Sequence, residues 1–410
     1  MKSPFPAQLR TVLLYAHDTY GLGHLRRNLA IADHLLTRRP GTRVVLMSGS
    51  PVAERFRLPD RLALVRLPPV VKVGPEEYRA RDPRWDLGLV RRARSAIMAD
   101  IARRLRPDVF LVDHAPQGMR GELLPVFAAL RASSPATRIV LGLRDVIDDP
   151  STVRRTWAEQ AVYETLETIF DQILVYGSAD LLDVADAYDL PARVADKITY
   201  CGYLGRPIAP TPAPGVRPPL ILGTAGGGGD GVEVLWATLD ASRALGISSL
   251  VVTGPLMDAP GRRSVETRAA ADPEARSVEF LADIGTTMAE AGAVVTMGGY
   301  NTLVELVGLG VPTVVVPRLH PRREQAIRAH LFAGRGLVRV VEPGPGLAAR
   351  LRPALAAALA EERRAGPPPL DLDGLRHVAA ALEAEAPTAR VPRRAPRTAA
   401  VDAPPVHVPA

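Results

Sequence analysis

The chain has 410 residues, 47% of them hydrophobic and 23% charged, which suits about two globular domains and excludes both a single small module and wholesale disorder. One cysteine, Cys201, excludes a disulfide framework and a cysteine-based metal cluster and suits a reducing cytosol. The net charge of +7 comes from arginine, since the only lysines are Lys2, Lys72 and Lys197; with few aromatics the chain does not read as a nucleic-acid binder, and anionic small molecules or lipid surfaces fit a mild positive field better.

In chain order, the apolar run 12–16 is the first predicted strand, too short for a signal-peptide core. No run approaches the roughly 18 apolar residues of a membrane span. The expected location is cytoplasmic, with a peripheral contact to the inner membrane face left open. This strand leads into a turn containing Gly21 and Gly23, which ends at His24, and then into a helix over 25–36. Glycines at a strand-to-helix turn let the backbone approach a ligand, and a helix start favours negative charge. The third glycine of a dinucleotide fingerprint is replaced by Arg26, which disfavours nicotinamide binding.

Further apolar runs at 43–47, 109–112, 139–143 and 173–175 alternate with helical segments such as 87–105, the grammar of parallel strands joined by helical crossovers. They define a first α/β domain over 1–205. Within it, residues 67–94 read either as an acceptor loop with an apolar patch and a basic rim or as an ordinary crossover with solvated arginines. Residues 206–219 are proline-rich and cannot continue a helix or a central strand, so they predict a linker.

The strand pattern restarts at 220–222, 249–253, 293–296 and 313–316, giving a second domain over 220–385. Its first strand leads into a loop with Thr224 and the adjacent Gly226 and Gly227, a candidate ligand loop but not a phosphate-binding P-loop, which needs a lysine. A later strand ends at Gly298 and Gly299, and a helix starts at Tyr300, Asn301 and Thr302, where free amides suit a diphosphate. Glu305 lies a turn further on, and Glu324 and Gln325 follow the next strand. A closing helix over 373–383 is expected to cross back toward the first domain, and 386–410 reads as a disordered tail rich in Ala, Pro and Arg. The fold class is therefore α/β, with two Rossmann-like parallel-sheet domains facing across a cleft.

The stretches 294–317 and 318–325 resemble GT-B glycosyltransferases, most nearly the family 28 group of MurG-type lipid-linked N-acetylglucosaminyltransferases. The likeness covers 220–341 well and the first domain mainly at its opening loop. It implies a UDP-sugar or other nucleotide-sugar donor as co-substrate, with no further cofactor, and a small-molecule or lipid-linked hydroxyl acceptor. Glu305 would hold the ribose, Glu324 and Gln325 the sugar hydroxyls, and Ile284 the base; His320 also has a family counterpart. His24 matches the proposed base. Met297 stands where relatives place a phosphate-binding polar residue. Phosphate contacts then fall to Gly298, Gly299, Tyr300, the 224–228 loop and Arg322 or Arg323.

Many retaining GT-B enzymes carry a glutamate eight positions before the one matching Glu305. Met297 occupies that place, so inversion is expected, with one base deprotonating the acceptor. Asp113, His114 and Asp145, each at a predicted strand end, are alternative bases to His24. No histidine pair has metal spacing on one helix, and a metal-independent reaction is expected. Two rival readings are a UDP-N-acetylglucosamine 2-epimerase-like isomerase and a catalytically silent nucleotide-sugar-binding protein.

Overall fold

The computed structural model describes residues 9–17, 22–74, 77–205, 220–281, 283–364, 366 and 368–384. The expected linker, the expected tail and Gly21 lie outside them.

Strands β1 (Thr11–Ala16), β2 (Arg43–Ser48) and β3 (Leu62–Arg66) are followed by a hairpin of β4 (Val70–Gly74) and β5 (Glu77–Ala80). Then come β6 (Val109–Asp113), β7 (Arg138–Arg144), β8 (Gln172–Tyr176) and β9 (Ile198–Tyr200). Apart from the hairpin they form one parallel sheet of order β3-β2-β1-β6-β7-β8-β9. Strand β1 is buried along its whole length, as a strand covered on both faces by helices must be. Its side chains alternate between two cores. Val12, Leu14 and Ala16 face helix Gly23–Arg38, and Leu13 and Tyr15 face the layer that holds helices Leu87–Leu105 and Leu124–Ser133.

The second sheet comprises β10 (Ile221–Thr224), β11 (Ser249–Val252), β12 (Ala275–Val278), β13 (Ala293–Thr296), β14 (Thr313–Val315) and β15 (Arg339–Val340). Its order is β12-β11-β10-β13-β14-β15, again parallel. In both sheets the order reverses beside the first strand, and the crevice at the strands' C-terminal ends is where open α/β sheets bind ligands.

Helix Gly374–Glu383 returns to the first domain, as expected. Val378 and Leu382 are buried in the core shared with helix Gly23–Arg38, and Arg138 donates to the carbonyls of Ala384 (2.6 Å) and Leu382 (3.2 Å). That core also takes in Tyr300, Leu303, Val304 and Phe332 of the second domain. The buried Arg328 clamps Asp145 through three contacts of 2.8 to 3.1 Å. The two domains therefore share a continuous apolar and ionic junction below the cleft.

The segment 67–94 corrects one expectation. It forms the β4–β5 hairpin and the start of helix Leu87–Leu105, and Arg94 is not a solvated arginine. It is buried, donating to both oxygens of the fully buried Glu122 at 2.6 and 2.8 Å, while Tyr15 donates its hydroxyl to the same carboxylate at 2.7 Å. A cation buried this deeply is tolerable only with such a hydrogen-bonded partner.

Candidate active site

Between the two sheets lies a cleft of about 1430 Å³, above the usual range for one small ligand and roomy enough for two substrates. Two helix starts meet in it. Helix Gly23–Arg38 follows β1 and helix Tyr300–Leu309 follows β13. Neither has a side-chain N-cap or an acidic residue in its first turn, so both present free amides and a positive dipole end. The Asn301 amide joins them by donating to the Gly23 carbonyl at 3.0 Å. A Cβ at Gly299 would meet nothing within 4 Å, which leaves open space over the second helix start.

His24 lines this cleft. Its Nδ1 lies 2.6 Å from Asp113 Oδ2 at the end of β6. Arg27 Nη2 also lies 3.0 Å from Nδ1, but the carboxylate contact is the shorter and a carboxylate only accepts, so Nδ1 carries the proton and Nε2 is left with the free lone pair. Arg27, one helical turn after His24, binds both Asp113 oxygens at 2.8 Å. Burial alone would raise the Asp113 carboxyl, but Arg27 and His24 hold it well below the usual carboxylate range. Burial pushes His24 down to about 4, although Asp113 pulls it up; Arg27 and Arg144 lower it further. The imidazole is thus neutral at physiological pH, as a base must be.

The other two candidate bases are placed differently. The Asp145 carboxylate is taken up by Arg328 and does not line the cleft. His114 lies beside His24, ring centroids 5.5 Å apart, with its Nε2 2.9 Å from Arg144 Nη2; it is buried and does not line the cleft.

On the second domain, Thr224, Gly226, Gly227, Ile284, Gly299, Tyr300, Asn301, Thr302, Glu305, Glu324 and Gln325 line the cleft. Gly226 and Gly228 adopt positive φ of 61° and 90°, and a Cβ at Gly228 would fall 2.1 Å from the Thr253 carbonyl oxygen, so the turn requires glycine there. Glu305 is buried and accepts two hydrogen bonds from Arg26 of the first domain, at 2.7 and 3.0 Å. Glu324 accepts from Arg318 at 2.7 Å. Burial would raise its carboxyl, but Arg144, Arg318, Arg328 and Arg322 hold it below the ordinary value. The Arg27 and Arg328 guanidiniums both lie over the Tyr300 ring, 5.8 and 5.5 Å from its centre.

Three sequence candidates sit apart. Gly298 has φ 84° and packs against Val315, outside the cleft lining. His320 and Arg323 are exposed and also outside it; the Arg323 backbone amide donates to Asp148 at 2.8 Å. Met297 does line the cleft.

Sequence reasoning missed Arg26, Arg27, Arg144 and Arg318, and also His17, whose ring lies edge-on to His24 at 5.8 Å. The available signal was spacing, since Arg27 follows His24 by three residues on one helix and so shares its face. Among the described residues, no group of three or more His, Cys, Asp or Glu side chains is placed to hold a metal ion, and no helix is long and apolar enough to cross a membrane.

Two parallel Rossmann-like sheets, a cleft between their C-terminal edges and a closing helix that returns to the first domain define a protein of the GT-B fold. The comparisons say which GT-B proteins it is similar to. The model of the glycosyltransferase family 28 C-terminal domain matches residues 241–364. The chain is 29% identical over 128 residues to the UDP-N-acetylglucosamine--N-acetylmuramyl-(pentapeptide) pyrophosphoryl-undecaprenol N-acetylglucosamine transferase of Rubrobacter xylanophilus, a match covering 31% of this chain and 36% of that relative. Over nearly its whole length the structure is similar to MurG of Acinetobacter baumannii (TM-score 0.54, 14% identity, 91% of this chain and 99% of that one). It is also similar in fold to a protein described as a UDP-N-acetylglucosamine 2-epimerase from Listeria monocytogenes (TM-score 0.60, 14% identity, 92% and 96%). The chain therefore resembles the family 28 glycosyltransferases by sequence in its second domain and GT-B proteins by fold throughout.

Proposed function

We propose that the protein is an inverting glycosyltransferase that moves a sugar from a nucleotide-sugar, with UDP as the favoured nucleotide, to a hydroxyl acceptor. The observation that carries this reading is the His24–Asp113 pair set opposite an uncapped helix start in one cleft. His24 Nε2 takes the proton of the acceptor hydroxyl as its oxygen attacks the anomeric carbon. The bond from that carbon to the diphosphate breaks, and its electron pair leaves with the diphosphate. Asp113 is a positioning residue that fixes the tautomer and stabilises the imidazolium formed. The amides of Gly299, Tyr300 and Asn301, together with Arg318, stabilise the departing charge, so the reading needs no metal for that task. Glu305 would hold the ribose and Glu324 with Gln325 the sugar hydroxyls.

A peripheral membrane contact for a lipid-linked acceptor has support on the first domain. Val73 of the hairpin, Trp85 and Leu89 are exposed large apolar side chains, with exposed Arg79, Arg81, Arg84 and Arg92 nearby in sequence, and Val70, Val71 and Arg81 of the same segment line the cleft. Amphipathic basic surfaces of this kind suit anionic headgroups.

Product analysis tests the reaction. UDP-sugar incubated with an acceptor panel should give a glycoside of inverted configuration with wild-type protein, formed roughly 10²- to 10⁴-fold more slowly with His24→Ala. Turnover of the donor without any acceptor, to a second nucleotide-sugar, would replace the transferase reading by the isomerase one.

A further inference from the structure

The ionic groups at the floor of the cleft mostly come in pairs: Arg27 with Asp113, Arg328 with Asp145, and Arg318 with Glu324. Arg144, at the C-terminal end of β7, is the exception. It lines the cleft together with His24, Arg27, Glu324 and Gln325, yet among the described residues it makes no ion pair. Its one polar contact is Nη2 to His114 Nε2 at 2.9 Å, and its Nε is buried without a partner.

A guanidinium only donates, so His114 Nε2 accepts and the proton of the neutral ring sits on Nδ1. That Nδ1 is also buried and unpartnered. Burial pushes His114 well below its ordinary value, and Arg144 adds to the effect, which fixes the neutral form this contact requires. His114 is held at φ 67° directly after Asp113, a left-handed backbone that is unfavourable for a non-glycine residue and concentrates at functional sites. Glu324 attracts Arg144 electrostatically, but Arg318 holds its Oε1, and its Oε2 has no hydrogen-bond partner. An unpaired cation and unsatisfied donors are both costly in such a place. A planar fork of free N–H groups is suited to the oxygens of a carboxylate or phosphate.

We propose that Arg144, oriented by His114, forms an oxyanion-binding subsite beside His24, so that one reacting partner carries a carboxylate or phosphate next to the bond being made. This rests on the transferase reading of the cleft. The anion belongs either to the donor sugar, as in a uronate, or to the acceptor.

Calorimetry on the full chain at constant ionic strength tests it with UDP, UDP-glucose, UDP-glucuronate and inorganic phosphate. Wild type, Arg144→Gln and Arg144→Lys are compared. If the donor supplies the anion, wild type binds UDP-glucuronate roughly tenfold or more tighter than UDP-glucose. If the acceptor supplies it, the donors bind alike and inorganic phosphate binds the UDP-glucose-saturated protein. Arg144→Gln abolishes whichever is seen, the uronate preference or the phosphate binding, while UDP still binds, and Arg144→Lys retains part of it. UDP binding with neither uronate nor phosphate recognised, or recognition that survives Arg144→Gln, overturns the subsite and leaves the transferase reading standing. Absence of any nucleotide binding removes that reading and the subsite with it.

Discussion

A histidine that acts as a base must be neutral when the acceptor arrives and must then welcome a proton. At His24 burial supplies the first condition, with its value lowered to about 4, and Asp113 at 2.6 Å supplies the second. The base is active only when unprotonated, so activity falls as pH drops through that value. The acid limb of kcat/KM should therefore lie near pH 4 to 5, below the 6.5 of an ordinary histidine. Asp113→Asn removes the group that raises His24, so it should move the limb further down and reduce kcat, while His24→Ala should cost roughly 10²- to 10⁴-fold in kcat with UDP binding retained. An acid limb at 6.5 that ignores Asp113→Asn would contradict these roles. His24 was legible at this scale because a glycine turn at a strand end points to it. Its pairing with Asp113 was not, because 89 residues separate the two and only the β1–β6 register brings them together. The arginines of the site were illegible for another reason: in an arginine-rich chain, nothing local marks those that turn inward.

Among the elements, helix Leu87–Leu105 shows how a segment that reads as basic surface can hold a core contact. Arg94 reaches from it under the sheet to Glu122, beside Tyr15 of β1. Arg94→Met leaves Glu122 buried and uncompensated, and should destabilise the fold by about 3–5 kcal/mol in urea unfolding. Replacing both partners, Arg94→Met with Glu122→Leu, should recover most of that loss; an equal loss in the double variant would show that the pair stabilises by more than mutual compensation. Central strands such as β1, β6 and β13 could be read from sequence because both faces are covered and nearly every residue is apolar or small, the charged Asp113 at the end of β6 apart. The edges β3, β12 and β15 could not. The burial of β3 is only partial and that of β12 fades along the strand, while β15 is two residues long, so their pairing to neighbours defines them more than their own pattern does. Trp85 in the turn before helix Leu87–Leu105 and Leu89 in its first turn are exposed, and vesicles rich in anionic lipid should bind wild type more strongly than Trp85→Ser in co-sedimentation. Equal binding would remove that surface from the account.

At the scale of the whole molecule, the junction below the cleft ties the site to the stability of the fold. His17 and His114 pack against His24, which lines the cleft, and burial lowers all three. The unfolded chain binds their protons near pH 6.5 and the folded chain only at lower pH, so stability is full above 6.5 and is lost as pH falls toward the folded values. Urea midpoints should fall between pH 7.5 and pH 5, and His114→Gln should flatten the slope; a midpoint that does not move would contradict the buried cluster. The two-domain architecture itself was legible, since the strand-helix alternation runs, breaks at the prolines and restarts. The ionic seam of Arg26 with Glu305 and Arg328 with Asp145 was not, because its partners lie on different domains and meet only once both sheets are formed.

The central claim is that this cleft holds a nucleotide-sugar with Glu305 on the donor and His24 on the acceptor side. Calorimetric titration of UDP and UDP-sugars into wild type, Glu305→Ala and His24→Ala tests it most directly. The account predicts saturable binding to wild type, about 10- to 100-fold weaker binding to Glu305→Ala, where hydrogen bonds to a charged group are lost, and unchanged binding to His24→Ala. No binding to wild type, or full affinity in Glu305→Ala, would contradict it.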